Sequence, residues 1–275
     1  MKKFLIPTDF SDTSKNAARY GVQLAASVPG STIILYNVFD KMALGSDSSP
    51  LSENEEDRKI VLTHALKNLE FELSELADTK IEYVAEPGSS LVDNLKRYVR
   101  NHRIDVVIMG ITGATRLEQI FMGSNTLNMV NAGECPVIIV PPDAKFKKIE
   151  NVMFASDFKN VGLSTPIAHI RNILEMFKPK LHIVNVDSEH YVDVTEEFKK
   201  ERAKLEQMFS DFNPEFSFIR MFDFLDAISS YAYDRNIDLI ITIPRRHSLL
   251  TGLFKTSHTK KLAYHSSVPI VAVQE

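Results

Sequence analysis

The chain has 275 residues, 44% hydrophobic and 25% charged, which excludes a mainly disordered or fibrous protein and suits one large domain or two ordinary ones. A formal net charge of −4 gives no general pull towards nucleic acid or an anionic membrane. The single cysteine, Cys135, excludes an intrachain disulfide and a cysteine-rich metal site, and it fits a cytoplasmic protein.

The opening MKKFLIPTDF begins like a leader, but Pro7 and Asp9 cut its apolar run short. No apolar run nears the roughly 18 residues needed to span a bilayer. Short runs rich in β-branched residues then recur: Phe4–Ile6, Ile33–Tyr36, Ile81–Ala85, Val106–Met109 and Val137–Val140. They are mostly continuous rather than alternating, as expected for strands buried on both faces of a parallel sheet. Between them, residues 13–27, 54–77 and 89–101 carry apolar side chains at helical spacing. Strands alternating with helices predict an open α/β sheet.

The order returns in the second half, with strands predicted at Val152–Phe154, Leu181–Val184, Phe216–Ile219, Leu239–Ile241 and Pro269–Val273. An offset of 148 places Asp9-Phe10 on Asp157-Phe158 and Asn37-Val38 on Asn185-Val186. An offset of 133 places Asp93 on Asp226, Ile104-Asp105 on Ile237-Asp238, Ser124 on Ser257 and Pro136 on Pro269. Matches ordered along two whole halves point to duplication. The first half also carries a polar insert, residues 41–57, expected to be mobile without ligand. Two domains are expected, 1–142 and 148–275, divided by the Pro141–Lys147 stretch. Their fifth strands are expected to meet, since each otherwise leaves a bare sheet edge.

The most specific local pattern is GITGATRLEQIFMGS, residues 110–124, which spaces Gly110, Gly113 and Gly123-Ser124 after a buried strand and before the helical run Leu127–Ala132. Glycine accepts positive φ and lets backbone approach a ligand, and a helix start offers free N–H groups to an anion. Ser124 or Thr126 is placed to cap that helix or to bond a phosphate oxygen. The pattern is neither a Walker A loop nor the dinucleotide fingerprint. A phosphate cradle at the carboxyl end of the sheet is the expected result.

With Pro7-Thr8-Asp9 at the first strand end and Gly-x2-Gly-x9-Gly-Ser late in the half, the chain resembles the universal stress protein family in its ATP-binding branch and tandem form. The resemblance implies two five-stranded parallel-sheet domains of strand order 3-2-1-4-5. It implies adenine contacts from Asp9 and the backbone of Val38. It places ribose and phosphates on Gly110, Gly113, Gly123 and Ser124, assisted by Asn125 and Thr126, with magnesium as the companion of ATP. Asp9 keeps a second reading, as a helix cap or a support for the strand-end turn, because Asp157 persists in the half without the glycines. There Ile243, Arg246 and Thr256 replace Gly110, Gly113 and Gly123, which predicts one ATP site per chain, in the first half.

Arg245, Arg246, His247 and Lys255 read as a solvated loop, with a side-chain site for a different anion as the alternative. Glu196, Glu197 and Glu201 read as the acidic part of a solvated helix shared with Lys199, Lys200 and Lys204. His169, His182, His190, His247, His258 and His265 lack the spacing of a zinc site. Cys135 reads as an inert thiol, and no motif names a catalytic residue. The expected function is a cytoplasmic, stress-responsive sensor or adaptor that binds ATP, with an unidentified protein partner, no nucleic acid and no membrane. The expected assembly is an intrachain pseudo-dimer, with homodimerisation of the whole chain left open. The alternative is a docking protein that binds no nucleotide.

Overall fold

The computed structural model describes residues 1–40, 55–111, 123–187, 195–221, 223–244 and 268–274. The first half runs β1 (Lys3–Pro7), α1 (Asp12–Ala26), β2 (Thr32–Phe39), α2 (Glu55–Ser74), β3 (Lys80–Pro87), α3 (Leu91–His102), β4 (Val106–Gly110), α4 (Ser124–Ala132) and β5 (Val137–Val140). The second half runs β6 (Asn151–Ala155), α5 (Val161–Ser164), α6 (Ile167–Phe177), β7 (Lys180–Asp187), α7 (Glu196–Met208), a 3₁₀ turn at Ser210–Phe212, β8 (Glu215–Arg220), α8 (Phe224–Asp234), β9 (Leu239–Thr242) and β10 (Ile270–Ala272). Most of the 41–57 insert lies outside the described residues; Glu55–Asp57 form the first turn of α2, where their negative charge suits the helix start.

The strands form one ten-stranded sheet in the order β3-β2-β1-β4-β5-β10-β9-β6-β7-β8. Read from either end, the order is 3-2-1-4-5 by position within the half. Neighbours are parallel except at the centre, where β5 meets β10 antiparallel through Val137↔Ala272, Ile138↔Val271 and Ile139↔Ile270. This pairing removes the two bare edges that the apolar fifth strands would otherwise present.

On the α1 side of the sheet one apolar core crosses the joint, running from Phe4, Ile6 and Leu35 through Ala144 and Ile149 to Val152, Phe154 and Leu181. The other face carries two separate cores, one around Leu5, Tyr36 and Val107 and the other around Met153, Ile228 and Ile240. The Pro141–Lys147 stretch is packed rather than loose: Ala144 is 2% exposed, and the Phe146 ring stands edge-on to Tyr20 at 5.6 Å.

Local structure repeats with the sequence. Phe10 and Phe158 both take left-handed φ, 63° and 54°. The preceding hydroxyls hold their amides, Phe10 N–H donating to Thr8 Oγ1 at 3.0 Å and Phe158 N–H to Ser156 Oγ at 3.2 Å. The Asn37 amide donates to the Thr8 carbonyl at 2.8 Å, and that of Asn185 to the Ser156 carbonyl at 3.0 Å. Asp105 and Asp238 each receive a backbone N–H at 2.9 Å from the start of the adjoining first strand.

The halves differ after this turn. Ser11 caps an unbroken α1 by accepting the Ser14 N–H. In the second half Pro166 holds Thr165 in extended backbone and splits the helix into α5 and α6. Glu201 corrects the reading of α7 as wholly solvated: it is 7% exposed, and its carboxylate accepts the Val161 N–H at 2.7 Å. The expected pairings along α7 are present, Lys199 to Glu196 at 2.7 Å and Lys204 to Glu201 at 2.5 Å.

His182 on β7 is 1% exposed, with Nδ1 3.0 Å from the Tyr231 hydroxyl and Nε2 buried without a hydrogen-bond partner. Burial holds its pKa below the ordinary value, with Lys180 and Arg235 adding to the shift and Glu215 opposing it. The imidazole is therefore neutral in the fold. Its contribution to stability is complete above the unfolded value of 6.5 and is lost as the pH falls from there towards the depressed folded value. Thermal melts are expected to drop below about pH 6.5, and His182→Asn should flatten that slope; an equal slope in both proteins would contradict this origin.

Candidate functional site

In an open α/β sheet the strand order reverses beside the first strand, and helices leave its two neighbours on opposite faces, so a crevice opens at the carboxyl ends there. Here β1 lies between β2 and β4, and a crevice of about 410 Å³ opens at that point. Thr8, Asp9, Ser11, Thr13 and Ser14 form the wall at the end of β1 and the start of α1. Asn37, Val38 and Leu91 form a second wall, and Met109, Gly110, Gly123, Ser124, Asn125 and Thr126 the third. Every site residue named from the sequence lies on these walls except Gly113, which falls outside the described residues.

Of the two roles expected for these glycines, positive φ is not the one that Gly110 and Gly123 show; the described glycines with positive φ are Gly30 and Gly133, and Gly113 lies outside the described residues. Gly110 is needed for close approach, because a Cβ there would lie 2.6 Å from the Thr13 carbonyl oxygen. Gly123 is the N-cap of α4, with φ −55° and no side-chain cap bond. Neither Ser124 nor Thr126 is that cap. Thr126 is 3% exposed, and its hydroxyl donates to the Gly110 carbonyl at 3.3 Å, tying the helix start to the strand end. The first turn of α4 lines the crevice through Ser124, Asn125 and Thr126, and a helix start carries partial positive charge.

Asp9 is not the helix cap, which is Ser11; it supports the turn before α1, its Oδ1 accepting the Ser11 N–H at 3.0 Å and the Ser11 hydroxyl at 2.5 Å. Desolvation raises its pKa, but the Ser11 hydroxyl and amide and the Ser14 hydroxyl together hold the carboxyl below its ordinary value. The side chain is still exposed and lines the crevice. Among the described lining residues it is the one ionisable group.

Sequence reasoning passed over Thr8, Ser11, Thr13, Ser14, Asn37 and Leu91. The hydroxyl-rich string TDFSDTS was the available signal for four of them. Asn37 is 7% exposed; its amide nitrogen is committed to Thr8, and its Oδ1 is buried without a partner.

In the second half, Ile243 stands where Gly110 stands in the first, and its side chain packs onto the core that crosses the joint. Arg245, Arg246, His247, Lys255, Thr256 and Ser257 fall outside the described residues, as do His190, His258 and His265. Among the described residues no three His, Cys, Asp or Glu side chains are grouped to hold a metal, and no helix is long and apolar enough to cross a membrane. Burial pushes the Cys135 thiol up to about 12, which keeps it protonated and unreactive.

The sequence pattern described as the universal stress protein family matches residues 1–141. Two universal stress proteins of Methanocaldococcus jannaschii are similar to the chain. One is 28% identical over 154 residues, covering 50% of this chain and 94% of the relative. The other is 29% identical over 150 residues, covering 52% and 84%. A universal stress protein structure from Archaeoglobus fulgidus superposes with a TM-score of 0.67 at 17% identity, over 99% of this chain and 96% of that one. A universal stress protein structure described as putative, from Pseudomonas aeruginosa, gives 0.59 at 13% identity, over 100% and 93%. These two likenesses show the fold across both halves.

Proposed function

The chain belongs to the universal stress protein family, and from that premise we propose that its first half binds ATP and that the protein works in the cytoplasm as a stress-responsive sensor or regulatory adaptor. The observation that carries the reading is the crevice itself. Its volume of about 410 Å³ suits a nucleotide, and the start of α4 lines it. Val38, Leu91 and Met109 supply apolar surface for the base, with Asp9 beside it. Gly110, Gly123 and the amides of Ser124, Asn125 and Thr126 supply the polar end for ribose and phosphates, together with Gly113. Magnesium accompanies the ATP in this reading, held through the phosphates. Binding rather than turnover is the proposed activity. The same reading divides the chain into units of 1–142 and 148–275.

Ser124→Ala is expected to weaken ATP binding by about 1 kcal/mol, roughly fivefold, if one neutral hydrogen bond is lost; calorimetric titration reads this directly. Unchanged affinity would remove Ser124 from the site. The docking reading draws on exposed apolar side chains of α2, with Val61 66% and Phe71 70% exposed. Adenine nucleotide released from denatured purified protein would favour the ATP reading over it.

A further inference from the structure

Helix α1 touches the crevice at one end and the connection between the halves along its length. Thr13, Asn16 and Tyr20 lie three and seven residues apart, on one helical face. Thr13 lines the crevice, and its carbonyl sits against Gly110. One turn on, the Asn16 amide nitrogen donates to the Pro141 carbonyl at 3.0 Å and reaches the Ala144 carbonyl at 3.4 Å, closing the turn that follows β5. A turn further, Tyr20 packs edge-on to Phe146 at 5.6 Å.

A second route runs through the sheet, where the Ile111 N–H donates to the Val140 carbonyl at 3.1 Å, just before Pro141. The far end of the connection is pinned to the second half, with the Glu150 and Asn151 N–H groups both donating to Asp238 Oδ2 at 2.9 Å. Asn16 itself does not line the crevice. Residue 164, its counterpart in the second half at the offset of 148, is a serine whose hydroxyl donates to the Lys159 carbonyl.

We infer that α1 couples the crevice to the joint: ligand bound at its first turn suppresses opening of the 141–150 connection, and loosening that connection weakens the ligand only in proportion to the closed fraction it removes. The inference rests on the nucleotide reading above. Opening that frees the connection releases Asn16 and frays the first turn of α1, which removes the Ser11, Thr13 and Ser14 wall. A ligand that binds only the closed form disfavours that opening, and the effect is reciprocal.

The test is amide exchange on the full chain, with and without ATP at about 100 times its calorimetric Kd. A ligand that binds only the closed form should slow opening up to about 100-fold at that ratio. The expected result is at least tenfold slower exchange at residues 143–151, with β8 (Glu215–Arg220) slowed much less. Asn16→Ala should keep the Kd within about threefold while reducing the slowing to under twofold. Phe146→Leu, which removes the ring from Tyr20, is the second variant if Asn16→Ala fails to fold, with the same expectation.

Unchanged exchange at 143–151 with ATP bound overturns the coupling and leaves the nucleotide reading standing. So does slowing equal to that of β8, or full slowing retained in the variant. Absence of ATP binding by calorimetry overturns both.

Discussion

Gly110→Val is expected to weaken ATP binding more than tenfold and to lower stability by about 1–3 kcal/mol, the usual range for forcing atoms into a packed site. The first added carbon would lie 2.6 Å from the Thr13 carbonyl oxygen and 3.0 Å from its carbon, inside any normal contact, and backbone cannot rotate away as a side chain can. Either β4 or the first turn of α1 must move. The first shifts Gly110 off Val140 and pulls on the Thr126 hydroxyl that ties down α4. The second displaces Ser11, Thr13 and Ser14 from the crevice wall. Both routes damage the site, so affinity and stability should fall together, with Gly110→Ala showing a smaller loss of the same sign. Titration and denaturant unfolding of both variants check this. Wild-type affinity in a folded Gly110→Val protein would mean that the close approach does not shape the site.

Glu201→Ala should destabilise the protein by about 1–3 kcal/mol, the cost of leaving a buried N–H without its partner, while leaving ATP affinity unchanged. Glu201 reaches from α7 to the Val161 N–H at the start of α5, a helix whose own N-cap Asn160 makes no side-chain bond to it. Solvent screens the pairing with Lys204, whose side chain is 52% exposed, and so keeps the pH-dependent part of the effect small. The hydrogen bond from Lys204 holds the Glu201 carboxyl below its ordinary 4.5, and the one from Val161 adds to this, with burial opposing. A carboxyl with a depressed folded pKa contributes its stability above the unfolded value and loses it as the pH falls through the folded one. The gap between wild type and Glu201→Ala should therefore be full above about pH 4.5 and shrink in more acid solution. Urea unfolding at neutral and acid pH reads both. Equal stability at neutral pH would show that the Val161 amide finds another partner.

The sheet was legible because its inner strands are apolar on both faces, and a run such as Val137–Val140 has no polar residue to suggest a solvent side. The duplication was legible because the paired residues hold equivalent turns: Asp105 and Asp238 each anchor the start of a neighbouring strand. The pairing of β5 with β10 followed from the bareness of their edges. Burial of Glu201 was not legible, since Lys199, Lys200, Arg202 and Lys204 surround it in sequence, and its partner Val161 lies 40 residues away.

The spacing of the glycines pointed to the end of β4, where Gly110 and Gly123 line the crevice. The role of Gly110, however, depends on where Thr13 comes to rest, a contact across 97 residues that local pattern cannot reveal. Ser11 and Ser14 form an ordinary helix start, and the crevice uses the same hydroxyl-rich turn as a wall.

The account turns on where ATP binds and how many molecules each chain holds. Isothermal titration of ATP with magnesium into the folded full chain, beside the Gly113→Val variant, decides it. The account predicts one site per chain in the wild type and a severe loss of affinity in the variant, where a bulky side chain crowds the phosphates. Two equivalent sites, no site, or unchanged affinity in Gly113→Val would contradict it.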